Sequence, residues 1–142
     1  MVPVSFCPQY PNEVLLRFIP SYQYNGFDKT QHEAFTHNVF TASQRMDRMG
    51  SRIEGKKIEY TGPGIISEGI ATGSIQIPPD GQPIILLKDC GTIGGYPKLG
   101  CVSRMDLNKL AQCRPGNKIR FAPVQTQAAT EELARFYRFF QV

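Results

Sequence analysis

The sequence predicts a mainly β fold, a barrel of short strands capped by two to three helices. Three observations support this class. Short runs that are alternating or continuously apolar recur along the chain, as at residues 14 to 19 and 118 to 124. Turn sequences rich in glycine and proline separate these runs, as at residues 62 to 64. The chain has 142 residues, 41% of them hydrophobic and 20% charged, which fits one globular domain with a real core.

The chain begins with a segment unlike the rest. Its first 13 residues contain three prolines and show no apolar periodicity, so residues 1 to 13 are predicted to be a linker-like lead-in. The single domain is expected over residues 14 to 142.

The strands are predicted from apolar runs bounded by turn residues. The middle of the chain reads as a β-hairpin around Pro79-Asp80-Gly81, because proline presets φ and glycine accepts positive φ. A long strand across residues 90 to 97 is not expected, since glycine and proline interrupt that stretch. The predicted strands cover residues 14 to 19, 39 to 42, 52 to 54, 65 to 71, 74 to 77, 84 to 87, 99 to 103 and 118 to 124.

Three helices are predicted. Asp28 and Gln31 resemble a capping box, which indicates a helix over residues 28 to 37. Asp106 is expected to cap a helix of little more than one turn. The last helix, near residues 127 to 140, has one apolar face that is expected to cover another part of the protein. That face comprises Leu133, Phe136, Tyr137 and Phe140.

Composition and charge limit the function classes. There is no apolar run long enough for a membrane span and no leader-like start, so a cytoplasmic protein without a membrane association is expected. The net charge of +4 is mildly basic, but no nucleic-acid-binding module accompanies it, so no nucleic acid is expected. His32 and His37 are five residues apart, about 140° around a helix, and predict no metal site. The four cysteines lack disulfide spacing and are expected to be free.

A basic segment runs from Arg45 to Lys57, with five Arg or Lys residues and two acidic ones. Its arginines, Arg48 and Arg52 among them, have the forked donors that bind a carboxylate or a phosphate. The alternative is surface pairing with Asp47 and Glu54, which contributes little energy. Both interpretations stay open.

Ser67 and Glu68 place a hydroxyl and a carboxylate within an apolar run. A half-buried glutamate has a raised pKa unless a cation compensates it. Glu68 is therefore predicted to be either the ion-pair partner of Arg48 or Arg52, or a general acid or base.

Gly94 and Gly95 precede Tyr96-Pro97 and not a helix, which favours a tight turn over a phosphate-binding loop. Such a turn can still present backbone donors and Tyr96 to a small-molecule substrate.

Four motifs together resemble a known family. They are Asp-Arg-Met-Gly at 47 to 50, Ile-Ser-Glu-Gly at 66 to 69, Gly-Ser-Ile-Gln-Ile-Pro with Asp-Gly-Gln-Pro at 73 to 83, and Thr-Ile-Gly-Gly-Tyr-Pro at 92 to 97. The chain is similar to the C-terminal half of the family called allophanate hydrolase subunit 2, biotin-dependent carboxyltransferase-like protein, KipA, or the C subunit of the bacterial ATP-dependent 5-oxoprolinase. One departure is Gly91, where the family often has glutamine.

The resemblance implies a cyclophilin-like closed β-barrel, an N-terminal domain of the same kind that is missing from this chain, and a related small cyclophilin-like partner subunit of the KipI type. It implies a component of an ATP-dependent amide-hydrolysing or lactam-hydrolysing complex, with ATP used at the level of the complex. The implied catalytic residues are Arg48 and Glu68. The implied substrate-binding residues are Arg52, Ser67, Gln76, Gln82, Thr92, Gly94, Gly95, Tyr96 and Lys98, with Asp80 and Asp89 in supporting positions.

Two other functions fit the same family. One is a regulatory binding module that sequesters a kinase-inhibiting partner, as the KipA name implies. The other is the carboxyltransferase half of a urea-carboxylase-like enzyme. The second would need biotin from a partner, because the chain lacks a biotin-attachment motif.

Overall fold

A computed structural model describes residues 3–7 and 9–140. The elements in chain order are a 3₁₀ turn Val4–Phe6, β1 Glu13–Pro20, a 3₁₀ turn Tyr24–Gly26, α1 Lys29–His37, β2 Phe40–Met46, β3 Gly50–Glu54, β4 Glu68–Gly69, β5 Ser74–Gln76, β6 Ile84–Leu86, β7 Ile93–Gly94, β8 Lys98–Val102, α2 Arg104–Ala111, β9 Lys118–Pro123 and α3 Thr126–Phe140. The predicted class, a closed β-barrel with three helices, is confirmed.

Seven strands form the closed barrel in the order β1-β8-β5-β6-β3-β2-β9. Neighbours pair antiparallel except β1 and β9, which pair in parallel from Glu13↔Lys118 to Phe18↔Pro123 and so close the barrel. The predicted hairpin is confirmed, since β5 pairs antiparallel with β6 and Gly81 takes a φ of 74°. β4 and β7 lie outside the barrel as a separate two-stranded sheet, which we call the ribbon.

The core fills the barrel with aromatic rings. Phe35 of α1 is fully buried and stacks on Phe121 of β9, with ring centroids 4.2 Å apart. Phe18 and Phe40 pack around it at 5.4 and 5.5 Å. Helix α1 therefore stabilises the barrel by inserting one ring among the strands, a contact that buries a large apolar area.

Three local predictions are wrong in detail. The Gln31 amide oxygen accepts from the backbone of Glu59 at 3.0 Å, and Asp28 makes no side-chain cap bond, so the capping box does not form. Ser103, not Asp106, caps α2. The strand expected over residues 65 to 71 is reduced to β4, because its only ladder partner is the equally short β7.

The apolar face of α3 is only partly covered. Leu133 and Phe136 are half-buried, while Tyr137 and Phe140 are 39% and 43% exposed. Ion pairing helps to hold the helix, since Glu132 contacts Arg17 of β1 at 2.8 Å.

Candidate functional site

The ribbon brings together two of the three segments that the sequence marked. Glu68 of β4 is the direct partner of Gly94 of β7, and the amide of Ile70 donates to the carbonyl of Thr92 at 3.0 Å. The hydroxyl of Ser67 lies 3.3 Å from the position that a Cβ on Gly95 would take. The Ser-Glu segment and the glycine turn therefore form one exposed structure on the outside of the barrel.

Glu68 is the centre of a polar cluster. Its carboxylate accepts from the ammonium of Lys98 and from the hydroxyl of Tyr22, and the Gln23 amide donates to it at 2.8 Å. Gln23 also accepts from the backbone amide of Lys98 at 2.7 Å. Three segments thus meet here: the loop after β1, the ribbon and the start of β8. We call Tyr22, Gln23, Glu68 and Lys98 the Glu68 cluster.

The cluster shows which contacts control the ionisation of Glu68. Hydrogen bonds from Lys98 and then from Tyr22 lower the pKa of Glu68 below its ordinary value, although burial opposes this. The same contact with Glu68 raises the pKa of Tyr22. These shifts favour a charged carboxylate and a protonated phenol at neutral pH, and Glu68 is the ion-pair partner of Lys98. A role of Glu68 as a general acid or base stays a prediction.

The predicted cation was wrong. Glu68 pairs with Lys98, not with Arg48 or Arg52. Strand register explains the difference, because Lys98, Gln76, Ile84 and Arg52 are successive partners across β8, β5, β6 and β3. Three strand spacings of about 4.8 Å place Arg52 roughly 14 Å from Lys98.

Gln76 lies beside the cluster with an unused amide. The residue is 6% exposed, and its side chain forms no hydrogen bond within the described parts of the chain. A Cβ added at Gly94 would lie 2.5 Å from its Nε2, so a larger residue there would displace the Gln76 amide. Among the described residues, Ser51 Oγ is the buried side-chain polar atom without a partner. The Gln76 amide therefore keeps some contact with solvent and is available to donate to the polar group of a ligand.

Gly95 and Tyr96 face a cleft of about 710 Å³ between the ribbon and the turns around residues 60 and 80. Tyr96 is 45% exposed at its edge, and Tyr60 and Ile77 form part of its wall. This volume suits a small molecule. The predicted substrate-binding residues Ser67, Gln76, Thr92, Gly94, Gly95, Tyr96 and Lys98 therefore lie in or next to one region.

The remaining predicted residues lie elsewhere. Arg52 pairs with Asp80, which lines the same cleft from the far side. Gln82 binds both backbone groups of Gly55, accepting from its N–H at 2.9 Å and donating to its carbonyl at 3.3 Å, so it fixes a turn. Arg48 forms an ion pair with Asp89 at 2.7 Å in a second cleft. The structure does not bring the basic segment to the Glu68 cluster.

Sequence reasoning missed Tyr22 and Gln23. Both follow shortly after Pro20, where β1 ends and the chain turns across the end of the barrel. Gln23 is 7% exposed. A polar pair next to the end of a buried strand was the available signal, but its partners are 45 and 75 residues away in the chain.

The metal-ligating side chains do not gather in one place. The described residues hold no group of three or more His, Cys, Asp or Glu that could bind a metal ion. None of the helices in residues 3–7 and 9–140 is both long and apolar enough to cross a membrane. All four cysteines are free, and burial raises the pKa of the Cys101 and Cys113 thiols, which disfavours the reactive thiolate.

Comparison with known proteins agrees with this architecture. A family profile described as "Carboxyltransferase domain, subdomain A and B" matches residues 2–123. The C subunit of 5-oxoprolinase from Haemophilus influenzae is 40% identical over 122 residues, which are 85% of this chain and 40% of that protein. Its Escherichia coli counterpart is 32% identical over 127 residues, 89% of this chain and 41% of that protein. The crystal structure of Kluyveromyces lactis urea carboxylase aligns with a TM-score of 0.84 at 20% identity, over 95% of this chain and 13% of that one.

The closed barrel with its outer ribbon and flanking helices is therefore a carboxyltransferase-type fold. The chain spans about two fifths of the length of the curated relatives it matches. It belongs to the carboxyltransferase domain family, subdomains A and B, and the family predicted from the four motifs is confirmed.

Proposed function

We propose that this chain supplies a substrate-binding part of an ATP-dependent, amide-hydrolysing complex that opens a small cyclic amide such as 5-oxoproline in the cytoplasm. Two relatives named as the C subunit of 5-oxoprolinase, at 40% and 32% identity, support this choice. In this proposal residues 14 to 142 act as the second domain of a longer polypeptide. That polypeptide works with a related small cyclophilin-like subunit, and ATP is used by the complex as a whole.

The observation that carries the proposal is the Glu68–Lys98 ion pair next to the unused amide of Gln76. Gln76 and Lys98 are cross-strand partners, so their side-chain donors lie close together at the start of β8. An amide carbonyl under nucleophilic attack develops negative charge on oxygen, and fixed donors stabilise that charge without reorganising. Lys98 and Gln76 are suited to this role.

Glu68 and Tyr22 prepare the donors. The Lys98 side chain is only 10% exposed, and the charged Glu68 carboxylate compensates its ammonium group. Tyr22 contributes a phenol that remains protonated and keeps the carboxylate oriented. Ser67, Thr92, Gly95 and Tyr96 form the rim over which substrate enters, with the cleft beside Tyr96 as the approach.

The test is turnover in a complex reconstituted with the partner subunits of a 5-oxoprolinase. Lys98→Gln and Gln76→Leu are each expected to lower kcat/KM for 5-oxoproline about a hundredfold, as removal of an oxyanion donor does. Lys118→Gln, which removes an exposed lysine of β9, is the matched control and should keep wild-type turnover. Thermal unfolding of each variant separates loss of function from loss of fold. The proposal fails if folded Lys98→Gln turns over within twofold of wild type.

A second function is favoured by one observation. The matching family profile describes a carboxyltransferase domain, which suits transfer of a carboxyl group to a substrate nitrogen. Biotin would then be carried by a partner. Carboxylation of urea that depends on a biotinylated carrier, without 5-oxoproline turnover, would identify this alternative.

A further inference from the structure

A second cleft, of about 620 Å³, lies away from the Glu68 cluster. It is bounded by the end of β2, the segment after β6, and α2. The Glu68 cluster contributes no residue to its lining. Its volume is in the range of small-ligand sites. The residues that matter for its chemistry are Arg48, Lys88, Arg104, Met46, Leu87 and Leu107.

The wall of this cleft carries uncompensated positive charge. Three cations line it, Arg48, Lys88 and Arg104. Its one carboxylate, Asp47, accepts from the amides of Met49 and Gly50 at 2.8 and 3.0 Å through a single oxygen. Asp47 keeps its negative charge, so the lining has a net charge of +2, from three cations and one carboxylate. Within residues 3–7 and 9–140, Lys88 and Arg104 form no ion pair. An anion entering the cleft would therefore meet two cations without an ion-pair partner, Lys88 and Arg104, beside the paired Arg48.

Arg48 lies at the exposed rim of the cleft, with its side chain 83% exposed. Its guanidinium bonds Asp89 through Nε at 2.7 Å and through Nη2 at 3.3 Å. The backbone amide of Asp89 also donates to the carbonyl of Arg48 at 2.9 Å. This two-point pairing orients the fork and leaves Nη1 as a free donor. A preoriented guanidinium loses less entropy when it binds an oxyanion.

The cleft also has an apolar part. Met46 and Leu87 are half-buried, and Leu107 of α2 is 8% exposed. Such a surface favours a ligand that also has carbon atoms to bury. The cleft therefore differs from a plain basic surface, which would attract ions without holding them.

We infer that this cleft binds a small organic anion, with a phosphate or carboxylate head on Arg48, Lys88 and Arg104 and an apolar body against Met46, Leu87 and Leu107. This site is independent of the proposed amide chemistry, because the two regions share no residue. Loss of one function therefore leaves the other testable.

The test titrates the purified chain with two probes, phenyl phosphate and phenylacetate, by NMR at constant ionic strength in sodium chloride. Saturable shifts at Thr72, Asn108 and the other cleft residues are expected with at least one probe. A response to phenyl phosphate alone assigns a phosphorylated ligand, and a response to phenylacetate alone assigns a carboxylate. Absence of saturable shifts with both probes overturns the inference.

A pair of double variants separates a site from general attraction. Lys88→Gln with Arg104→Gln should weaken probe binding about tenfold, since two charge-assisted contacts are lost. Lys56→Gln with Arg138→Gln removes the same charges from exposed positions outside the cleft and should leave the affinity unchanged. Equal weakening by both pairs would show non-specific attraction and would also overturn the inference.

Discussion

Asp106 provides a direct test of what holds the helices to the barrel. Its carboxylate is fully buried and accepts from three Arg17 donors, the backbone amide, Nε and Nη2, each at 2.8 Å. Lys109 donates to it at 2.8 Å as well, and Arg17 reaches on to Glu132 of α3. One carboxylate therefore links β1, α2 and α3.

Asp106→Asn keeps the shape of this side chain and removes its charge. Loss of one partner of a buried ion pair costs about 3 to 5 kcal/mol. Arg17 is 31% exposed, so solvent screens part of the pair and the lower end, about 3 kcal/mol, is expected. Urea unfolding followed by circular dichroism measures this difference. Glu13→Gln, which removes an exposed pair with Arg120, should cost less than about 1 kcal/mol.

The contribution of Asp106 to the free energy of unfolding should change with pH in a definite direction. Burial opposes ionisation of Asp106, but hydrogen bonds from Arg17 and Lys109 hold its pKa below the ordinary value. A lowered pKa contributes stability that is complete above the unfolded-state pKa, about 3.9, and is lost as pH falls through the folded-state value. The difference in free energy of unfolding between wild type and Asp106→Asn should therefore become smaller at acidic pH. If Asp106→Asn lowers the free energy of unfolding at neutral pH by less than about 1 kcal/mol, or by as little as Glu13→Gln does, the reasoning is refuted.

Three further outcomes are expected. Gly73→Ala should destabilise the protein more than Gly116→Ala. The φ angle is positive at both positions (95° and 92°), but only at Gly73 would the new Cβ lie 3.0 Å from the carbonyl oxygen of Val102. Thermal unfolding should show a loss of about 1 kcal/mol for Gly116→Ala and at least twice that for Gly73→Ala. Phe35→Ala should lower the free energy of unfolding in urea by about 3 to 5 kcal/mol. Tyr137→Ala, at a residue that is 39% exposed, should lower it by less than about 1 kcal/mol. Similar losses for the two variants would contradict the packing described for the barrel. Glu68→Gln should lower the pKa of Tyr22, because the hydrogen bond to Glu68 is the main cause of its raised pKa. A pH titration followed by NMR of ring-labelled tyrosine measures this pKa, and an unchanged Tyr22 pKa would contradict the prediction.

The barrel strands could be predicted because burial alternates along them. In β1 every second residue from Val14 to Phe18 is buried, and β9 shows the same pattern around Ile119 and Phe121. This period of two is visible directly in the sequence as apolar and polar residues. The turn at Gly81 was predictable from local residue types as well, because proline presets φ and glycine accepts the positive φ that this turn requires.

Polar side chains were harder to place, because their partners lie far away in the chain. Gln31 had the spacing of a capping box, but it bonds a backbone amide 28 residues later. Asp106 was predicted to cap a helix, but it forms an ion pair with Arg17, which lies 89 residues earlier in the chain. In both cases a tertiary contact won over a local one.

The candidate site shows the same limit. The sequence marked Glu68, Lys98, Gln76 and the glycine turn through their motifs, and the structure brings these together. It also marked Arg48 or Arg52 as the partner of Glu68, but Arg48 pairs with Asp89, and Arg52 lies three strands away from Lys98 and pairs with Asp80. Pairing across a barrel depends on which strands are neighbours, and residue types within one segment do not contain that information.

The parallel pairing of β1 with β9 has a consequence for how the protein is made. Arg120 and Glu13 lie side by side in the closed sheet although they are 107 residues apart in the chain. During synthesis β1 must therefore wait for β8, its antiparallel neighbour, and then for β9, and until both have been made it presents an unpaired edge. Folding dominated by such distant pairings is slow, and an exposed edge during that wait is open to aggregation. Of the barrel strands, β1 is therefore the one that stays unpaired longest while the protein is being made.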